Sequence, residues 1–244
     1  MRSWLTHAAL AALVIGTPMV AANATSFAVL LGSAERPEAD KVRDADRKPA
    51  EVMAFAGVKA GMKITEIAPG GGYYTRLLSA AVGDKGYIYT FAGRASPAIE
   101  AWAKAHGNVG QIVGKPVDKI APEPVDMVWT TLNYHDFKNS KQGDSDAAAM
   151  FNKAAFDTLK PGGIYLINDH EAASGAGTSV TSTLHRIEST AVIKEVEAAG
   201  FKLEARSDLL KHAGDDHTLK VQESGIRGKT DQFILKFRKP KAKR

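Results

Sequence analysis

Three histidines stand directly beside an acid: His135-Asp136, Asp169-His170 and Asp216-His217. An imidazole has an ordinary pKa of roughly 6.5, so it can take a proton from a hydroxyl, amine or carboxamide, while a neighbouring carboxylate sets its tautomer. The same donors from separate loops could also gather Zn, Mn or Fe. No compact spacing such as H-E-x-x-H raises the metal reading, and metal-free catalysis is placed ahead of it. Nucleophilic hydrolysis is disfavoured, because Ser174, Ser179 and Ser182 lie in no triad order and no G-x-S-x-G elbow occurs. A second kind of chemistry is offered by Glu66-Ile67-Ala68-Pro69-Gly70-Gly71-Gly72-Tyr73-Tyr74. Its glycines let a ligand approach the backbone, and a helix N-terminus behind them favours polar or anionic groups.

These residues need a frame that brings them to one edge. Met62 to Ile67 alternates as a strand, the glycine turn follows, and Tyr74 to Val82 reads as a helix. The grammar repeats, with strands at Gly86 to Phe91, Val109 to Val113, Val125 to Leu132 and Ile164 to Asn168. Helices are expected at Pro49 to Val58, Pro97 to His106, Asp146 to Leu159 and Thr181 to Ala199. Two late strands, Phe201 to Ala205 and Asp231 to Phe237, close the pattern. Such alternation predicts an α/β, doubly wound, mostly parallel sheet with ligands at the carboxyl ends of its strands. His135 and His170 fall just past two of those ends.

With these motifs the chain resembles the class I methyltransferases that use S-adenosylmethionine. The resemblance runs from about Arg47 to Phe237 and includes the Leu159-Lys160-Pro161-Gly162-Gly163 turn. More narrowly, Asp46-Arg47-Lys48-Pro49, Asn133-Tyr134-His135-Asp136, Asn168-Asp169-His170-Glu171 and Thr230-Asp231-Gln232-Phe233 look like a group of exported methyltransferases. The resemblance implies a seven-stranded sheet with an antiparallel last strand and S-adenosylmethionine as cofactor. It implies cofactor contacts from Glu66, Pro69, Gly70, Gly71, Gly72, Tyr73, Asn133 and Asp118, the last toward the adenine amine. His135 or His170 would act as base, with Asp136 beside the first and Tyr134 covering the reacting centre. One family feature is missing: the end of the second strand reads Thr90-Phe91-Ala92-Gly93-Arg94, with no acid for the ribose hydroxyls. A methyl acceptor of unknown identity completes the expectation. The alternatives are a repurposed binding protein with this fold, or a metal-assisted lyase or hydrolase.

Composition bounds the rest. The chain has 244 residues, 44% of them hydrophobic, enough for one ordinary core. There is no cysteine, which excludes disulfides and thiolate chemistry. Of the formal +5, the stretch from Arg227 to Arg244 holds eight bases against Asp231 alone, leaving 23 bases and 26 acids between residues 25 and 226. No nucleic-acid partner is expected for that body. Arg2, the apolar run Ala8 to Val20 and Ala22-Asn23-Ala24 form the pattern of a cleaved signal peptide, with a periplasmic or secreted product and no stable membrane insertion. The expected organisation is a signal peptide (1–24), a polar lead-in (25–48), a methyltransferase-like domain (49–238) and a basic tail (239–244). The residues carry no signal for an oligomeric state.

Overall fold

The computed structural model describes residues 26–116, 118–142 and 145–241. The signal-peptide reading and the last residues of the basic tail lie outside them. The first five strands are β1 (Lys63–Ile67), β2 (Tyr87–Ala92), β3 (Val109–Val113), β4 (Val125–Thr131) and β5 (Leu159–His170). The sheet is completed by β6 (Lys202–Ser207) and β7 (Gln232–Arg238). Spatially they run β3-β2-β1-β4-β5-β7-β6. The strands from β3 to β5 pair in parallel, and β7 is antiparallel to both β5 and β6. The seven-stranded α/β sheet with an antiparallel last strand is therefore present.

Period-two patterning divides the core between the faces of this sheet. Met127, Trp129, Leu166 and Ile234 pack with α1 (Pro49–Ala56), α2 (Tyr73–Val82) and α3 (Pro97–His106). Val128, Tyr165, Ile167, Phe233 and Leu235 point the other way, onto α4 (Tyr134–Lys138), α5 (Ala147–Thr158) and α6 (Ser189–Ala198). Local chemistry starts the helices where the site needs them. Pro97 occupies the first turn of α3, and the Asp146 side chain caps α5 by accepting from the Ala149 amide at 2.9 Å.

Two stretches differ from the sequence expectation. The residues ahead of α1, read as a polar lead-in, fold against the domain from residue 26 onward. Asp40, 5% exposed, accepts from Arg76 Nε of α2 at 2.7 Å, and Arg36 forms a two-pronged pair with Asp44 at 2.7 Å in each prong. Tyr73 donates to the same Asp44 at 2.7 Å. The long helix expected over Thr181 to Ala199 begins only at Ser189. Ahead of it the chain turns, with His185 at φ 55°, and Ile187 bridges Glu171 as a short parallel extension of the sheet. The apolar spacing of Leu184 and Ile187 reads as a helix face, but the left-handed residue between them prevents one.

Candidate active site

The carboxyl ends of β1, β2, β4 and β5 open on one edge, and three cavities follow it. The first, about 730 Å³, lies between the ends of β2 and β3 and the glycine turn, lined by Pro69, Gly70, Thr90, Gly93, Gln111 and Asn133. The second, about 230 Å³, lies over the turn and takes in Glu66, Gly70, Tyr73, Tyr74, Arg43 and Arg47. The third, about 500 Å³, shares Arg43, Arg47 and Leu132 with the second and ends at His170, Gln232 and Arg227. Because consecutive cavities share residues, they form one row along the edge.

The glycine turn builds the middle of that row. Gly70 is left-handed at φ 57°, and a Cβ on it or on Gly71 would project into open space rather than into protein. Gly72, at φ 83°, leads into α2, and a Cβ there would crowd Arg76 at 3.0 Å and Ile99 at 3.1 Å. Left-handed non-glycine residues flank the turn at Ala68 (φ 54°) and Leu132 (φ 57°), where β1 and β4 end. Such backbone strain persists where packing holds it and concentrates at functional edges. Asn133 joins these two strand ends, its amide donating to the Ala68 carbonyl at 3.0 Å and the Thr131 carbonyl at 2.5 Å.

Glu66 is 3% exposed, and its side chain accepts only from Thr75 Oγ1, at 2.5 Å, among the described residues. Burial pushes its pKa up to about 8, against the smaller opposing pull of Thr75, Arg76 and Arg47. Across the cavity, Arg47 lies 4.6 Å from the Tyr73 ring centroid and Arg43 lies 5.2 Å from it. Neither guanidinium makes an ion pair among the described residues. Burial and the nearby Arg43 charge lower the pKa of Arg47. The cavity thus presents a carboxyl group lacking a cation and two cations lacking an anion.

His135, 2% exposed, lies in the first turn of α4 beyond β4, but its closest partner is not the adjacent acid. Its Nδ1 lies 2.7 Å from Oδ1 of Asp169 at the end of β5, and its backbone amide donates to Oδ2 at 2.8 Å. Asp136 Oδ1 lies 3.4 Å from Nε2 on the other side. Burial works against the imidazolium, but Asp169 and Asp136 outweigh it and raise the pKa of His135. Asp169 is fully buried, yet His135 and His170 hold its pKa below the ordinary value. His170 turns from Asp169 to Thr230, 2.8 Å from its Nδ1, although its backbone amide donates to Asp169. Burial, joined by the His135, Arg186 and Arg47 charges, pushes its pKa down to about 4. His170 is therefore neutral at physiological pH and lines the third cavity.

Several expected site residues sit elsewhere. Tyr134 is completely buried beneath the edge, where its hydroxyl donates to Glu195 at 2.9 Å and accepts from Asn152 at 2.8 Å, so it does not cover a reacting centre. Asp118 is exposed and accepts from the Lys115 amide at 2.6 Å, outside the lining of the first cavity. The Asp216-His217 pair separates: His217 Nε2 lies 3.1 Å from Asp231, while Asp216 caps Thr218. Arg186 is 0% exposed and holds Asp215 in a bidentate pair at 2.8 and 3.0 Å. Sequence reasoning missed Gln111, whose amide faces the first cavity where the second-strand acid is absent and whose Oε1 accepts from the Ser96 amide at 2.7 Å. Its signal was a polar residue inside a short strand. Arg43 was missed too, one helical turn before Arg47.

No protein-family model matches the chain, and no curated protein matches it in sequence. Solved structures match its fold. A SAM-dependent methyltransferase from Aquifex aeolicus has a TM-score of 0.57 at 18% identity, over 88% of this chain and 98% of that one. A SAM-dependent methyltransferase from Clostridium acetobutylicum has a TM-score of 0.56 at 11% identity, over 88% and 98% respectively. The [4+2]-cyclase SpnF has a TM-score of 0.59 at 16% identity, over 92% and 94%. The fold of this chain is thus the class I methyltransferase fold, an architecture also found in a cyclase.

Proposed function

We propose that the protein binds S-adenosylmethionine along the row of cavities and transfers its methyl group to an acceptor beside His170. The observation that carries this reading is the middle cavity, where buried Glu66 shares the lining with Arg43 and Arg47, which make no ion pair among the described residues, above the open backbone of Gly70 and Gly71. A zwitterionic amino-acid moiety supplies the missing charges, with its ammonium toward Glu66 and its carboxylate toward the guanidiniums. The first cavity has room for the nucleoside, with Thr90, Arg94, Gln111 and Asn133 among its polar groups. The cofactor supplies a methyl group activated on a sulfonium centre. The chain's contribution is to align that methyl with the acceptor, since in-line displacement depends mainly on orientation.

The third cavity suits an acceptor that carries negative charge, because Arg227 joins Arg43 and Arg47 there against Asp46 as the one acid of its lining. Neutral His170 accepts a hydrogen bond from the acceptor's hydroxyl or amine as its proton is lost. His135 stands one layer deeper, oriented by Asp169. The repurposed-binder reading has no comparable feature. The test is S-adenosylhomocysteine formation from S-adenosylmethionine in the presence of fractionated small anionic metabolites. Turnover dependent on one fraction and lost in Arg47→Ala supports the reading; hydrolysis of an ester or amide with no S-adenosylhomocysteine formed refutes it.

The sequence of residues 1–24 supports export of this enzyme, and no described helix is long and apolar enough to cross a membrane. Mass spectrometry of the protein from its own cells should find a chain beginning at Thr25. An intact Met1 terminus would contradict export by cleavage.

A further inference from the structure

His135 lies between two carboxylates, and its protons cannot satisfy both while it is neutral. Asp169 already accepts two backbone N–H groups, from His135 and His170, each at 2.8 Å, so it faces Nδ1 of His135 as a third acceptor bond. The ring hydrogen of a neutral imidazole therefore sits on Nδ1, leaving a lone pair on Nε2. That lone pair points at Asp136 Oδ1, itself an acceptor, at 3.4 Å. A second imidazole converges on the same oxygen, with His185 Nδ1 at 3.0 Å. One ligand atom from each of the three residues lies within 4.8 Å of the others.

We infer that His135, Asp136 and His185 form a binding site for a divalent transition metal, with Asp169 as the outer carboxylate that orients His135. A buried acid on the far nitrogen of a ligating histidine fixes its tautomer and increases its basicity, and that is where Asp169 stands. Two imidazoles and one carboxylate suit Zn, Mn, Fe(II), Co or Ni rather than a thiolate-seeking ion. The third ligand is held in place by its backbone. His185 is left-handed at φ 55°, and the next residue, Arg186, is anchored by Asp215 and by the Leu219 and Glu171 carbonyls at 2.9 and 3.0 Å. The Asp136 side chain is 50% exposed, so further coordination positions open toward solvent. This inference does not depend on methyl transfer.

The test uses the full chain stripped with chelator and titrated calorimetrically with Zn(II) and Mn(II), with Co(II) absorption as the report on ligand type. One equivalent per chain is expected, with His185→Ala abolishing stoichiometric uptake and Asp169→Asn weakening it about 10–100-fold. His106→Ala is the control, because that ring stacks on Trp102 at 3.7 Å, away from the cluster, and uptake should be unchanged. Thermal unfolding establishes that each variant is folded. No stoichiometric uptake of any of these metals overturns the site, as does uptake retained in folded His185→Ala. S-adenosylmethionine binding by the stripped protein is scored separately, so the two readings fail independently.

Discussion

His135 and Asp169 are 34 residues apart and meet at 2.7 Å, nitrogen to carboxylate oxygen, where the ends of β4 and β5 adjoin. This contact welds the active edge, because Asp169 also takes the backbone amides of both His135 and His170. Asp169→Ala leaves His135 without its buried partner and should cost about 3–5 kcal/mol in urea unfolding. The two titrations act on opposite sides. The Asp169 contribution is present above its unfolded value of 3.8 and lost as pH falls through the lower folded value, whereas that of His135 is present below 6.5 and lost as pH rises through the higher folded value. In chelator, the wild-type advantage over the variant should peak between those limits. A difference that does not vary with pH would contradict the pairing.

Glu66 gives a different pH signature. Its carboxyl favours the proton in the folded protein, so its contribution to stability is present below 4.5 and declines as pH rises through about 8. A ligand ammonium reverses that preference and drives the proton off. Titrations with S-adenosylmethionine near pH 7 in buffers of different ionisation enthalpy should show release of up to one proton, with affinity rising from pH 6 to about 7.5, below the range near 8 where an α-ammonium itself deprotonates. Glu66→Gln should abolish the proton release and weaken binding; unchanged proton release would place the ammonium elsewhere.

Gly70 tests the turn itself. Its φ of 57° is costly for a residue with a side chain, and the added methyl would meet no protein atom, at a position that lines the first two cavities. Gly70→Ala should lose roughly 1–2 kcal/mol of stability and a larger share of its cofactor affinity. Equal affinity in wild type and variant would mean that no ligand rests on this turn.

Arg186 and Asp215 are 0% and 3% exposed, and they tie the loop beyond β6 to the end of β5. Arg186→Ala should destabilise by about 3–5 kcal/mol, while the double replacement Arg186→Met with Asp215→Leu should recover part of that loss. Chemical denaturation of the singles and the double provides the comparison. A near-neutral Arg186→Ala would contradict a structural role for the buried pair.

Much of this architecture was readable because strand and helix periods differ and their boundaries carry local chemistry. The bounds of β3 and α3 coincide with those read from Val109-Val113 and Pro97-His106, where Pro97 opens the helix and His106 precedes a turn. The long helix before Gly200 was misread because apolar spacing reports burial, and Ile187 is buried by bridging Glu171 rather than by lying on a helix. The histidine partners were illegible for a different reason. Adjacent residues leave a strand end in different directions, so His170 finds Thr230, His217 finds Asp231 and His135 finds Asp169. Such pairings exist only once the strand order brings distant loops to one edge.

The most direct measurement of the central claim is calorimetric titration of the chelator-stripped chain with S-adenosylmethionine and with S-adenosylhomocysteine, on wild type and on Arg47→Ala. The cavity row predicts one site per chain for both ligands, with affinity for both falling in the variant because each carries the same carboxylate. Heat indistinguishable from dilution for both ligands, in a protein shown to be folded, would contradict it.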